Sequence, residues 1–86
     1  MTDEPHIGKM IKRHLINKGI RIGWLAERLG CHRNNIYKMM DRAWMDTQTL
    51  MRISLILEHD FFSELSEAYE KEAKTIHSPK SVQNAH

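Results

Sequence analysis

Residues 20–40 constrain the fold more than any other part of the chain. Apolar side chains recur at helical spacing on both sides of Gly30, which predicts two short helices joined by a tight turn. Gly30 suits the turn because glycine adopts a positive φ without strain. The second helix, over about residues 33–40, has a polar, basic outer face, and its inner face consists of Ile36, Met39 and Met40.

The whole chain is predicted to be all-α, because apolar residues recur at spacings of three and four residues and the alternation of polar and apolar residues typical of strands is absent. We expect five helices, over about 6–17, 22–29, 33–40, 46–58 and from 61 onward. Gly19 is a left-handed stop for helix 1, and Asp46 and Asp60 are N-caps. Helix 5 should carry Phe61, Phe62 and Leu65 inward. These bounds divide the chain into an N-terminal arm (1–5), a helical domain with a C-terminal extension (6–74) and a disordered tail (75–86).

Size and composition limit the classes of protein to which the chain can belong. A chain of 86 residues suits one small domain, and no apolar run approaches the roughly 18 residues of a membrane span. The polar N-terminus is not that of a signal peptide, and a single cysteine, Cys31, fits a reducing compartment. We therefore expect a cytoplasmic, nucleoid-associated protein with no membrane partner.

Charge is unevenly distributed along the chain. Residues 5–45 hold nine basic and two acidic side chains, a net charge of +7, whereas residues 46–74 hold three basic and seven acidic ones, a net charge of −4. A basic half of this kind is typical of a protein that binds a polyanion, although charged residues also solvate helix faces.

The sequence gives little support for catalysis or for metal binding. Cys31 and His32 are sequence neighbours whose side chains diverge, so they make a poor nucleophile–base pair. The six histidines show no i, i+4 pair, and no glycine-rich phosphate loop is present. His14 is expected at the edge of the core. We predict that the protein is not an enzyme, holds no cofactor or metal and has no evident small-molecule ligand.

The segments LAERLGCHRNNIYKMMDR and DTQTLMRISLILEHDFFSEL resemble the phage-repressor/Cro-like helix-turn-helix family, the xenobiotic-response-element type, and its small bacterial members in particular. The shared marks are Leu25-Ala26, Leu29-Gly30, Ile36, an acid-capped helix 4 and the HDFF start of helix 5. The resemblance covers about residues 6–68. It implies a compact five-helix, lambda-repressor-like domain that binds double-stranded DNA with helices 2 and 3 and regulates transcription, most simply as a repressor and as a homodimer.

The resemblance also implies the contacts. Helix 3 would enter the major groove, with Arg33, Asn34, Tyr37 and Lys38 toward the bases and Asn35 toward the backbone. Arg21, with the free N–H groups that begin helix 2, and Arg42 would bind phosphate, unless they pair with Glu27 and Asp41 instead. The sequence departs from the family at Ile22, where a phosphate-binding polar residue is usual.

Three apolar residues outside the predicted core suggest a second surface. Met51 and Leu55 lie four apart on helix 4 and, with Trp44 or Phe62, form a possible dimer patch, with burial against helix 5 as the alternative. Trp24 is interpreted as a lid on the core. A patch of this kind leaves a second function open, an antitoxin-like or adaptor module that binds a protein, and non-specific nucleoid or RNA binding is a third.

Overall fold

Five α-helices make up the secondary structure of residues 5–76, the part of the chain that the computed structural model describes. Strands are absent from these residues, so the all-α prediction is confirmed for them. The helices are α1 (Ile7–Lys18), α2 (Ile22–Leu29), α3 (Arg33–Met40), α4 (Thr47–Leu57) and α5 (Phe61–Ile76).

The helix boundaries follow from capping groups in the sequence. Gly19 after α1 and Gly30 after α2 have φ values of 66° and 73°. In each case the glycine N–H and the next residue's N–H donate to carbonyls of the preceding helix, and this satisfies groups that the helix end would leave unpaired. Asp46 is the predicted N-cap of α4, and its carboxylate accepts from Thr49 N at 2.9 Å. These predicted caps are confirmed.

Two boundaries differ from the prediction. Helix α1 begins at Ile7, one residue after the expected start, because residue 6 is its N-cap: the Nδ1 of His6 accepts from Lys9 N at 3.0 Å. Helix α5 ends at Ile76, two residues beyond the expected end of the helical extension at residue 74. Residues 1–4 of the predicted arm and residues 77–86 of the predicted tail lie outside the described residues.

Contacts divide the chain into two units, His6–Phe61 and one that contains α5 from Phe62 onward. The first unit has its own apolar core, in which the largest fully buried side chains are Phe61, Ile11, Leu25, Ile36, Leu50 and Ile53. Phe61 is the one member of the predicted inward trio that is fully buried, since Phe62 and Leu65 are only partly covered.

Helix α1 is attached to the end of α3 through backbone atoms. The N–H groups of Ile7 and Gly8 have no partner within their own helix, and they donate to the carbonyls of Ala43 and Arg42 at 2.8 and 3.0 Å. Gly8 permits this approach, because a Cβ built there would overlap the Met40 carbonyl and lie 2.6 Å from that of Arg42. The basic helix α1 is thereby held against α3.

Candidate nucleic-acid interface

The connection between α2 and α3 consists of Gly30, Cys31 and His32. The Gly30 N–H donates to the Glu27 carbonyl at 3.2 Å, and the Cys31 N–H donates to the Ala26 carbonyl at 2.9 Å. These two bonds close the end of α2 and turn the chain into α3 within three residues. His32 has the extended backbone of an N-cap, but its side chain makes no capping hydrogen bond.

Helix α3 separates an apolar face from a polar one. Ile36 and Met40 are buried, at 1% and 7% exposure, and Met39 is partly covered. The five residues of α3 for which the family resemblance implies DNA contacts are all exposed: Arg33, Asn34, Asn35, Tyr37 and Lys38. The exposed side chains of α3 therefore include two cations, two amides and a phenol.

The side chain of Arg33 lies against the first turn of α2. A Cβ built on Gly23 would stand 3.0 Å from Nε and from Nη2 of Arg33, so the guanidinium occupies the space that a side chain would fill there. Arg21 and Glu27 join Gly23 and Arg33 around the same shallow depression. The guanidinium of Arg33 and the residues Arg21 and Glu27 thus lie around the start of α2.

The first turn of α2 has no side-chain cap, because its N-cap residue is Arg21. Within residues 5–76 the backbone N–H groups of Ile22 and Gly23 have no hydrogen-bond acceptor. Uncapped N–H groups carry the positive end of the helix dipole, to which an anion is attracted. Arg21 and the start of α2 therefore form a polar, positive surface next to Arg33.

Arg42 lies in the loop after α3, where its backbone carbonyl accepts from Gly8. Its side chain is exposed. The sequence leaves open whether Arg21 pairs with Glu27 and Arg42 with Asp41, and neither ion pair forms in the described part of the chain. Both guanidinium groups are consequently available to an external anion.

The apolar residues proposed for a dimer patch are exposed. Trp44, Met51 and Leu55 have 56%, 50% and 69% of their surface accessible. We call these three residues the α4 patch. Trp24 is 38% exposed, with the Arg28 guanidinium carbon 4.8 Å from its ring centroid, and it lines a groove with Ile20, Ile56 and Leu57.

An aromatic cluster lies at the edge of the core of the first unit. His14 is partly buried, as predicted, and its ring centroid is 4.4 Å from that of His59 and 5.7 Å from that of Phe61. Among the described residues, no three His, Cys, Asp or Glu side chains are grouped closely enough to hold a metal ion. Nor does any helix in residues 5–76 have the length and apolarity needed to cross a membrane.

Sequence reasoning missed two residues of this region, Gly8 and Gly23. A glycine inside a helical pattern is a detectable signal, since it weakens the helix and usually has a packing reason. The signal does not identify the neighbour, and here the neighbours are the Arg42 carbonyl and the Arg33 guanidinium.

Comparisons with known proteins add no relative: no family model, no curated protein sequence and no solved structure matches this chain. The resemblance to the repressor family therefore stays a prediction from the residues.

Proposed function

We propose that the protein binds double-stranded DNA in a sequence-specific way and regulates transcription, most simply as a repressor. The observation that carries the proposal is the composition of the exposed face of α3, opposite the buried Ile36 and Met40. An α-helix with its side chains is about 10–12 Å across, which fits the major groove, about 12 Å wide. Arginine pairs with guanine and asparagine with adenine through two hydrogen bonds each, which suits Arg33 and Asn34 to base reading.

In this proposal α2 and α3 act as the helix-turn-helix of a lambda-repressor-like domain. Lys38 and Tyr37 complete the base-facing set, and Asn35 contacts the backbone. The uncapped start of α2 binds one phosphate together with Arg21, and Arg42 binds another. The net charge of +7 over residues 5–45 supports attraction to the DNA backbone.

The functional form is proposed to be a homodimer on a palindromic site, with half-sites about 34 Å apart. The exposed α4 patch is the surface that we assign to self-association, because Met51 and Leu55 lie one turn apart on the same helix. Changing Leu55 to glutamate should then lower the dimer fraction in analytical ultracentrifugation without unfolding the protein, because the side chain is 69% exposed.

Fluorescence anisotropy with duplex DNA over a series of salt concentrations tests the proposal. Arg21→Ala should weaken binding to all sequences alike and reduce the salt slope by about one, as expected for a phosphate contact. Lys74→Gln in α5 removes one exposed positive charge outside the unit that carries α2 and α3, and should leave the slope unchanged. Equal effects of the two variants would contradict the assignment of Arg21.

A second candidate function is an antitoxin-like or adaptor module that binds a protein. The exposure of Trp44, Met51 and Leu55 is the observation that favours it. Neutralising Arg33 and Lys38 would leave such a function intact, whereas Leu55→Glu would abolish it. Loss of function in the Arg33 and Lys38 variant favours DNA binding, and retained function favours the protein-binding module. Leu55→Glu does not separate the two, because the DNA-binding proposal uses Leu55 for self-association.

A further inference from the structure

A cleft lies between helices α1 and α3. Of the residues that line it, only Tyr37 is among the proposed contacts to DNA bases. The volume of the cleft is about 440 Å³, within the range of 300–1,000 Å³ typical of sites for small molecules. Lys9, Lys12 and Ile16 line it from α1, and Tyr37 and Asp41 line it from the α3 side. The backbone bonds from the start of α1 to the loop after α3 fix the two walls relative to each other.

The inner part of the cleft is apolar. Leu15 and Met40, both nearly buried, form part of its floor, and Ile16 lies beside them with 68% of its surface exposed. An isoleucine exposed to this extent contributes little to the core. A ligand with an apolar body would remove Ile16 from water and gain free energy in proportion to the area covered.

The outer part of the cleft is basic on the α1 side. Lys9 and Lys12 are exposed and follow each other at i, i+3, one turn apart on the same face of α1. Neither forms an ion pair within residues 5–76. Asp41 places one carboxylate on the opposite wall, so the lysine side carries the excess positive charge and attracts an anionic group.

We propose that this cleft binds a small organic anion with an apolar body, of the chemical class of aromatic carboxylates. The carboxylate meets the ammonium groups of Lys9 and Lys12, and the ring system covers Ile16, Leu15 and Met40. Free phosphate supplies the charge but leaves the exposed Ile16 in contact with water, so the combination of the two surfaces favours the organic anion.

Tyr37 lies in both the cleft and the exposed face of α3. A ligand that contacts Tyr37 therefore competes with DNA. This coupling rests on the proposed function, whereas binding to the cleft does not, because it is measured on the protein without DNA.

The test is a titration of the full chain with 2-naphthoate, followed by two-dimensional amide NMR. Saturable shifts confined to residues that line the cleft are expected. The matched cation, 2-naphthylmethylammonium, and inorganic phosphate should each bind at least about tenfold more weakly. The double variant Lys9→Gln/Lys12→Gln should weaken naphthoate binding about tenfold or more, while Lys18→Gln, on the same helix but outside the cleft, should not.

Three results would overturn the site: no saturable binding of naphthoate, equal binding of the naphthyl cation, or equal affinity in the lysine double variant with an unchanged amide spectrum. A second arm adds duplex DNA. Naphthoate that binds the cleft without lowering DNA affinity contradicts the coupling alone. A protein that binds naphthoate but no DNA contradicts the proposed function and leaves the site supported.

Discussion

The guanidinium of Arg33 lies over Gly23, so the first residue of α3 contacts the first turn of α2. A Cβ at Gly23 would stand 3.0 Å from Nε and Nη2 of Arg33. Because the neighbour is the far end of a flexible side chain, it can shift at little cost in energy. Gly23 therefore leaves room for the guanidinium at this position, and the contact contributes little to stability.

Gly23→Ala tests this relationship. Alanine should raise the free energy of unfolding by up to about 1 kcal/mol, since it favours a helix more than glycine does. The same change should lower DNA affinity, by less than the ~1–3 kcal/mol expected for Arg33→Ala. A double-mutant cycle measures the coupling. Gly23→Ala should have no effect on DNA binding in the Arg33→Ala background, and a full effect there would mean that Gly23 acts independently of Arg33.

Gly8→Ala should have the opposite effect on stability. Its Cβ would meet the carbonyls of Met40 and Arg42, which are backbone atoms that cannot rotate away. We expect a loss of about 2–3 kcal/mol, typical of overpacking, in urea unfolding. Gly23→Ala is the matched control, because it places the same methyl group in a helix against a movable side chain. A Gly8→Ala protein as stable as the wild type would contradict the close packing of α1 on the end of α3.

Glu58 ends α4 in the left-handed conformation, with φ 52° and ψ 45°, where α1 and α2 use glycine. Its N–H and that of His59 donate to the carbonyls of Leu55 and Ser54 at 3.3 and 3.0 Å. The end of α4 therefore has the same kind of hydrogen bonds as a glycine cap, but the Cβ of Glu58 makes this backbone conformation sterically unfavourable. Glu58→Gly should stabilise the protein by about 1 kcal/mol in urea unfolding. Glu58→Gln controls for the lost charge, and an equal gain in that variant would show that charge, not backbone conformation, is responsible.

Asp46 should make stability depend on pH. The Thr49 hydroxyl and backbone N–H donate to its carboxylate at 2.7 and 2.9 Å, and these hydrogen bonds hold the pKa of Asp46 below its ordinary 3.8. A carboxyl whose pKa is lowered by folding stabilises the protein above the unfolded value. That contribution is lost as the pH falls through the lowered pKa.

Asp46→Asn keeps a cap oxygen that does not titrate. The difference in unfolding free energy between wild type and Asp46→Asn should therefore shrink as the pH falls below about 4. Urea titrations of both proteins at several pH values measure it. A difference that stays constant, or grows in favour of the wild type toward acid, would contradict the role of Asp46 as an ionised cap.

Much of the helical framework could be predicted because its signals are local. The bounds of α2 and α3 agree with the sequence prediction, since Gly19, Gly30 and the 3.6-residue spacing of the apolar side chains act within a few positions. The end of α4 at Leu57 lies within one residue of the predicted end, but the left-handed conformation of Glu58 was not predicted, because nothing in the sequence around it indicates a left-handed residue.

What the sequence could not provide are the contacts between helices. The exposure of α3's polar face follows from periodicity, but the position of Arg33 over Gly23 depends on how α2 and α3 cross and on one side-chain conformation. The cleft between α1 and α3 could not be predicted either, because Lys9 and Tyr37, which both line it, are 28 positions apart in the chain.

The central claim, sequence-specific DNA binding through α3, is tested most directly by selecting binding sites from randomised duplex DNA with the wild type and with Arg33→Ala. We predict a palindromic consensus for the wild type, with half-site centres about one helical turn apart. Arg33→Ala should lose the preference at one position in each half-site. An enriched pool without a consensus, no binding at low salt, or an unchanged consensus in Arg33→Ala would contradict the account.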